Sequence, residues 1–312
     1  MHLNSPPLAS WPPVGVVIVN WNLRESLRET LQSFRQVDYP DLRIVVSDNA
    51  STDGSQQMVR QEFPEVRLLA HDHGLGYAKA ASLGMAALLP EVKYIFSTTN
   101  DVLVAPDLVR ALVTFAEAHP NVGVTGCKIF YHRPPDRLWS AGGFFFLGHP
   151  WHYGWMCKDA PRYNQVRDCA FVTGCGFLLR TEALRRVGLF EEKLVFYSED
   201  ADLCLRIREA GYRVVYLPVA RMWHKTSSTL AKNRPVQLYY STRNNLYVLK
   251  RHRVALRPWS LWTYLGLVCP TKMFLFALLG RWPNVVGIWQ GIQDWRRDRY
   301  GWYEEHHLAR AR

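Results

Sequence analysis

The feature that most constrains this chain is an alternation in its N-terminal half: short apolar runs of strand length separated by stretches with helical periodicity. Val14-Gly15-Val16-Val17-Ile18-Val19 is almost wholly apolar, as expected of a parallel strand buried on both faces. Leu23, Leu27, Leu31 and Phe34 then recur at helical spacing until Tyr39-Pro40 stops the pattern. Arg43-Ile44-Val45-Val46-Ser47 reads as a second strand, and the loop over 48–55 leads into another helix. Strands are expected again at 66–70, 92–97, 122–125 and 213–217, with helices at 77–88 and 106–118. Such alternation predicts an α/β fold around a parallel sheet with right-handed crossovers. Ligands of these sheets bind beyond the carboxyl ends of the strands.

Those ends carry the polar residues. The first strand runs into Asn20-Trp21-Asn22, the second into Asp48-Asn49 and the fourth into Thr98-Thr99-Asn100-Asp101. Each group alone is ordinary turn chemistry. Their succession along one sheet edge points to a shared ligand site. A second acidic stretch, Ser198-Glu199-Asp200-Ala201-Asp202, stands before Leu203 and Ile207, which repeat at helical spacing until Gly211. A carboxylate in a first helical turn faces unpaired N–H groups and the positive end of the macrodipole, which is expected to keep Asp200 ionised. It is then either a usable general base or an ordinary helix N-terminal acid.

His73-Gly74-Leu75-Gly76-Tyr77-Ala78 resembles a dinucleotide fingerprint only superficially. It lacks the third glycine and does not follow the first strand, so a tight turn with close approach to a ligand is the better reading.

With 48% hydrophobic and 21% charged residues, the 312-residue chain can bury a large core. Met1 to Pro13 shows no secretory pattern, and the six cysteines form no CxxC pair. Reduced thiols and a cytoplasmic location are expected. The net charge of +11 is concentrated from Arg243 onward, where twelve Lys/Arg face four Asp/Glu and six of the 12 tryptophans lie. Basic residues interleaved with Trp fit an anionic surface, membrane or nucleic acid. No nucleic-acid motif is visible, and such a partner leaves the Asn and Asp residues at the strand ends unexplained. Trp259 to Gly280 is apolar but interrupted by Pro270 and Lys272, which predicts pieces too short to cross a bilayer and an interfacial hairpin instead. The alternative is a helical subdomain packed on the rest of the chain. Residues 131–168, rich in aromatic side chains, either line a carbohydrate site or form a packed lid.

Taken in order, Val16 to Asn22, Ser47 to Ser55, Asn100-Asp101, Gly174-Cys175-Gly176-Phe177-Leu178-Leu179-Arg180 and Ser198 to Arg206 resemble the motif series of family 2 glycosyltransferases. The style is closest to bacterial rhamnosyltransferase-like enzymes of cell-surface polysaccharide synthesis. The resemblance implies a GT-A fold with a mostly parallel central sheet flanked by helices, a catalytic domain over 1–235 and a helical, membrane-associated region over 236–312. It implies an inverting transfer from a nucleotide-diphosphate sugar to a saccharide or lipid-linked saccharide, at the inner face of the cell membrane.

By the same resemblance, Asn20, Asn22, Asp48 and Asn49 lie around the base and ribose of the donor. Asn100 and Asp101 also bind the nucleotide-sugar donor, and Lys79 either faces its diphosphate or is a solvated helix lysine. Asp101 is the metal-binding end of the DxD-type motif, with Thr99 where the first acid often stands. Ser82 replaces a frequent Asn. Mg²⁺ or Mn²⁺ would take Asp101 and, as a second ligand, His224, which follows the strand at 213–217; a lone His is also a common structural hydrogen-bonder. Asp200 is the implied base and Glu199 the acceptor-orienting group, while Asp202 and Arg206, four apart, brace the helix. A catalytically silent nucleotide-sugar-binding module remains the alternative.

Overall fold

The first strand, β1 (Val14–Asn20), lies at the centre of the sheet with all seven residues buried. This computed structural model describes residues 10–226, 233–253 and 255–307. β1 pairs in parallel with β2 (Leu42–Asp48) on one side and β4 (Tyr94–Thr99) on the other, and β2 carries β3 (Arg67–Ala70) at the edge. Period-two alternation sends Val14, Val16 and Ile18 to one face of the sheet and Val17 and Val19 to the other. The first set packs under α1 (Arg24–Arg35), α2 (Ser55–Glu62) and α4 (Leu108–Ala118), through Leu31, Met58 and Leu112 among others. The second packs under α3 (Tyr77–Leu88), α5 (Thr181–Val187) and α6 (Glu199–Glu209), through Ala81, Leu184 and Leu203.

The expected strands and helices of this half are present, with ends shifted by a few residues. Beyond β4 the sheet turns mixed. β11 (Gly176–Arg180) inserts antiparallel between β4 and β6 (Val122–Tyr131), and β12 (Arg213–His224) continues in parallel beside β6. Both β6 and β12 run well past their expected ends at 125 and 217. β12 does so through an irregularity between Leu217 and Arg221, where Pro218 has no N–H to give the ladder. The extension lets β5 (Val102–Val104) pair with it antiparallel, His224 opposite Val102. Smaller strands complete the aromatic segment: β7 (Leu138–Ser140) on β6, β10 (Arg167–Asp168) on β12, and the separate hairpin of β8 (Gly143–Phe146) with β9 (His149–His152).

After Asn233 the described chain is helical: α7 (Arg234–Arg251), α8 (Ser260–Thr263), α9 (Cys269–Leu278), α10 (Trp282–Arg296) and α11 (Tyr303–His307). The interruption expected at Pro270 does not occur. A π-helical turn, Tyr264–Val268, joins α8 to α9, giving one 19-residue helix from Ser260 to Leu278. Pro270 sits in the first turn of α9, and the widened turn before it relieves the clash its ring makes with a preceding carbonyl. At a mean hydropathy of 1.4, this helix is long and apolar enough to cross a membrane. One side, with Tyr264 and Cys269, packs on Leu246, Leu249 and Ile288. The other is bare, with Phe274 63% and Leu278 67% exposed.

The Asp202–Arg206 brace is present at 2.8 Å and is part of a larger buried knot. The second Asp202 oxygen lies 3.0 Å from His252 Nε2, and His252 Nδ1 lies 2.8 Å from Glu209. Burial by itself would raise the Asp202 carboxyl, but His252, Arg206 and Arg251 together hold it below its ordinary range. A carboxyl lowered on folding adds stability above its unfolded pKa, and this is lost as pH falls through the folded value. Asp202→Ala is therefore expected to cost about 3 kcal/mol in urea unfolding at neutral pH. The deficit should shrink below about pH 4.

Candidate functional site

The carboxyl ends of β1, β2 and β4 are tied together by side-chain amides. Asn20, fully buried, donates to Asp48 Oδ2 at 2.7 Å and to Ser51 Oγ at 3.0 Å, and its Oδ1 accepts from Asn100 Nδ2 at 2.6 Å. Asp48 Oδ1 accepts the Ser51 N–H and the Gln56 amide. Asn49 Oδ1 accepts the Leu75 N–H at 2.6 Å, and Asn22 Oδ1 accepts the Thr52 N–H at 3.0 Å. Asn22 and Leu23 both have positive φ, 57° and 62°, strain of the kind stored beside functional sites. Thus Asn20, Asn22, Asp48, Asn49 and Asn100 form one connected floor. Lys79 is not brought to it: exposed on α3, it pairs with Glu192 at 3.8 Å. Ser82 is buried with no partner for its hydroxyl.

At the far end of the floor, Asp101 Oδ1 accepts from Thr99 Oγ1 at 2.7 Å and meets His224 Nε2 at 3.1 Å. Thr99, which stands in place of an acid, thus orients the acid that remains. The β5–β12 pairing makes this meeting, and the Lys225 N–H donates to the Asp101 carbonyl at 2.9 Å. Trp139 packs edge-on against His224 at 5.0 Å, and His224 Nδ1 is buried without a partner among the described residues. Among the described residues no group of three or more His, Cys, Asp or Glu is gathered as a metal cage. One carboxylate and one imidazole still fit a Mg²⁺ or Mn²⁺ ion that draws its remaining oxygens from a diphosphate and water.

The helix entrance faces the same space. A cavity of about 450 Å³ is lined by Asn49, Asn100, Asp101 and His224 on one side and by Glu199 and Asp200 on the other. The segment leading into α6 is strained: Val195, Tyr197 and Ser198 have φ of 63°, 66° and 69°. It is held by Asn244 of α7, whose Nδ2 donates to the carbonyls of Leu194, Phe196 and Tyr197 at 2.7, 2.7 and 3.0 Å. Gly76, at φ +81°, lets the loop before α3 come against Val195, so its glycine serves this turn; a Cβ there would lie 2.5 Å from the Val195 side chain. Gly174 presents its N–H to Asp200 Oδ2 at 2.9 Å, and the Ala201 N–H donates to Oδ1 at 2.7 Å. Its α-carbon is wedged against Tyr77 and Asp200, where a Cβ would come within 3.4 Å of each.

The charge state at this entrance differs from expectation. The helix N-terminus does not settle it, because burial raises the Asp200 carboxyl in spite of the N–H bonds that favour its ionised form. Burial and the neighbouring Asp200 charge raise Glu199 further. Glu199 Oε2 is buried with no partner among the described residues, whereas both Asp200 oxygens accept N–H groups. Burial therefore works against the charge of Glu199 more than that of Asp200, whose oxygens are the ones supplied with N–H donors.

Sequence reasoning missed several residues of this cavity. Tyr77, Trp139, His149, His152 and Tyr264 line it, and Asn244 supports it. The aromatic stretch at 131–168 was the one signal: Trp139, His149 and His152 come from it. Trp155 of the same stretch is 53% exposed.

The glycosyltransferase-like family 2 model matches residues 12–235. A Mycobacterium tuberculosis protein named N-acetylglucosaminyl-diphospho-decaprenol L-rhamnosyltransferase is 26% identical over 277 residues, covering 80% of this chain and 89% of its own. The putative glycosyltransferase EpsE of Bacillus subtilis is 26% identical over 260 residues, covering 82% and 88%. Among solved structures, the Pyrobaculum calidifontis mannosyltransferase PcManGT with GDP-Man and Mn²⁺ superposes with a TM-score of 0.58 at 18% identity, over 93% of this chain and 88% of that one. GalNAc-T7 with UDP, GalNAc and Mn²⁺ gives 0.60 at 15%, over 78% of this chain and 48% of that one, so this chain spans about half its length. These superpositions show the GT-A fold.

Asn244 is expected to act on the site through the turn it holds. Asn244→Ala should raise amide exchange in the stretch 195–201 by about tenfold or more while the exchange of β1 and β4 stays unchanged, as checked by hydrogen-exchange mass spectrometry.

Proposed function

The chain belongs to glycosyltransferase-like family 2, and from that premise we propose an inverting transfer of a sugar from a nucleotide-diphosphate donor to a hydroxyl of a saccharide or lipid-linked saccharide. The observation that carries the reading is a single cavity lined both by the Asp101–His224 pair and by the Asp200 carboxylate. A transferase needs these two chemistries on opposite sides of the anomeric carbon. The catalytic unit is assigned to 1–235 and the membrane-facing helices to 236–312. A cell-surface glycan as product agrees with the name of a further relative, the O-antigen biosynthesis protein RfbC of Myxococcus xanthus, 27% identical over 237 residues.

In this reading the base and ribose of the donor lie over the floor of Asn20, Asn22, Asp48 and Asn49, in which buried Asn20 and Asp48 support Asn22 and Asn49 from beneath, and Asn100 and Asp101 face the diphosphate. Asp101 and His224 would hold Mg²⁺ or Mn²⁺, which when bound neutralises charge on the departing nucleoside diphosphate. Asp200 takes the acceptor's hydroxyl proton as that oxygen forms its bond to the anomeric carbon and the bond to the diphosphate oxygen breaks. Attack from the side opposite the leaving group inverts the centre. The burial that raises Asp200 makes it a stronger base than a free aspartate. Neutral Glu199 donates a hydrogen bond that orients the acceptor. Lys79, paired with Glu192, has no part in this scheme.

Single-turnover transfer by Asp200→Asn should fall by about 10²–10⁴-fold with donor affinity by calorimetry nearly intact. Chelation should abolish turnover and Mn²⁺ restore it. The acid limb of the wild-type pH profile should lie above the ordinary Asp value of about 4, since activity is lost as pH falls through a raised pKa. Glu199→Gln should leave that limb in place, because Glu199 is already neutral where Asp200 titrates. A product that keeps the donor's anomeric configuration, or full activity in excess chelator, would refute the scheme.

The bare face of the helix from Ser260 to Leu278, with Trp262 70% and Trp282 62% exposed nearby, supports peripheral docking on an anionic membrane. The full chain is expected to co-sediment with vesicles rich in phosphatidylglycerol at low salt. Phe274→Glu with Leu278→Glu should release it, and equal binding by this double variant would count against the docking.

A further inference from the structure

Lys272 is a cation in the middle of an apolar helix. Among the described residues no carboxylate pairs with it; its neighbours are His149, Cys269 and the positive charge of Arg234. Its Nζ lies 3.3 Å from Nε2 of His149, the first residue of β9. An ammonium has only protons to give, so Nε2 accepts and the imidazole proton lies on Nδ1. Burial pushes His149 down to about 3, which keeps the ring neutral and preserves that tautomer. Nδ1 is buried and has no partner among the described residues. His149 lines the cavity, stacked at 6.0 Å and 19° on Tyr264, another lining residue. The cavity wall thus holds a buried donor, unpartnered among the described residues, beside a half-buried ammonium whose charge burial disfavours and which no described carboxylate pairs with; an anion at this corner would answer both.

This corner lies where the cavity meets the bare helix face. Phe274, Leu275 and Leu278 follow Lys272 on α9, each more than half exposed. An anion carrying a long apolar chain would place its charge at His149 and Lys272 and its chain along that face. The Asp101–His224 pair, just before β5 and at the end of β12, is built from other elements.

Resting on the transferase reading above, we propose that the His149–Lys272 corner is the subsite for the diphosphate of a lipid-linked acceptor. It sets the acceptor's sugar toward Asp200 while the lipid stays on the membrane side. The site recognises a diphosphate joined to a long apolar chain, and neither half alone suffices.

The test uses the full chain, with metal chelated so that the donor site is silent, and measures affinity for geranylgeranyl diphosphate, inorganic diphosphate and geranylgeraniol. Geranylgeranyl diphosphate should bind tightest. Lys272→Gln and His149→Phe should each weaken it by about tenfold or more, and Lys272→Arg should retain most of it. Binding of UDP or GDP with Mn²⁺ should be unchanged in the Lys272 variants, which also reports that they are folded. Undiminished binding by Lys272→Gln, or geranylgeraniol binding as tightly as the diphosphate, overturns the proposal. Inorganic diphosphate binding equally well at the same Lys272-dependent site overturns the lipid-linked source. Should wild-type protein bind geranylgeranyl diphosphate through Lys272 but no nucleoside diphosphate, the transferase reading fails and the subsite stands.

Discussion

The site depends first on one buried amide. Asn20 has no exposure to solvent, and its donor and acceptor ends are both used, toward Asp48 and toward Asn100. Leaving either end unpaired in the interior would cost about 1–3 kcal/mol, so the three strand ends are fixed relative to one another. Parallel pairing sets the height, with Asn20 opposite Asp48 and Val19 opposite Thr99. The amide then sets the direction in which the next residues leave. Asn100 is anchored, so Asp101 emerges beside the end of β12, and Thr99 turns its carboxylate toward His224. The sheet therefore positions Asp101 through backbone register and hydrogen bonds, without any long flexible side chain.

The opposite wall is organised by a conflict between charge and burial. A helix N-terminus favours a carboxylate by about 0.3–1 kcal/mol, while removing a carboxylate from water costs several. Two adjacent buried acids cannot both be ionised cheaply, and the N–H groups decide between them. Gly174 and Ala201 serve Asp200 and leave Glu199 with an orphan oxygen. Glycine at 174 matters because any side chain there would press on Tyr77 and Asp200. The Gly174-Cys175-Gly176 turn and the Glu199-Asp200 pair are thus halves of one device, far apart in sequence and joined by one hydrogen bond.

What could be read from the sequence follows from what is local. The apolar run at β1 and the helical spacing of α1 and α3 are short-range patterns, and they placed the parallel half of the sheet. The polar ends of those strands were legible for the same reason. β11 was not legible as an antiparallel insertion, because strand direction is settled by partners distant in the chain. The continuation of β12 through Pro218 broke the usual rule for proline, and with it went the geometric reason for placing His224 beside Asp101. Charge states were out of reach as well: the sequence shows acids at a helix entrance but not the depth at which they lie. Pro270 misled in the other direction, because a π turn absorbs what composition alone treats as a break.

A boundary at residue 235 separates two sequence patterns, but the hydrogen bonds cross it. Asn244 holds the strained turn that aims Glu199 and Asp200, and Arg243, fully buried against Tyr239 and Tyr240, adds a bond to the Leu194 carbonyl at 3.3 Å. The next residue, Asn245, donates to Gly148 at 2.8 Å and so fixes the hairpin that carries His149 and His152. Three successive residues of one helix therefore reach two walls of the cavity. The helix bearing the bare apolar face packs on this same α7 through Leu246 and Leu249 and sends Tyr264 into the cavity. The bare apolar face and the turn that holds a carboxylate are consequently parts of one packed unit. Positive-φ residues such as Tyr197 and Ser198 stay in place only while their surroundings over-determine them. Since those surroundings include α7, Glu199 and Asp200 take their geometry from helices that lie beyond residue 235 in sequence.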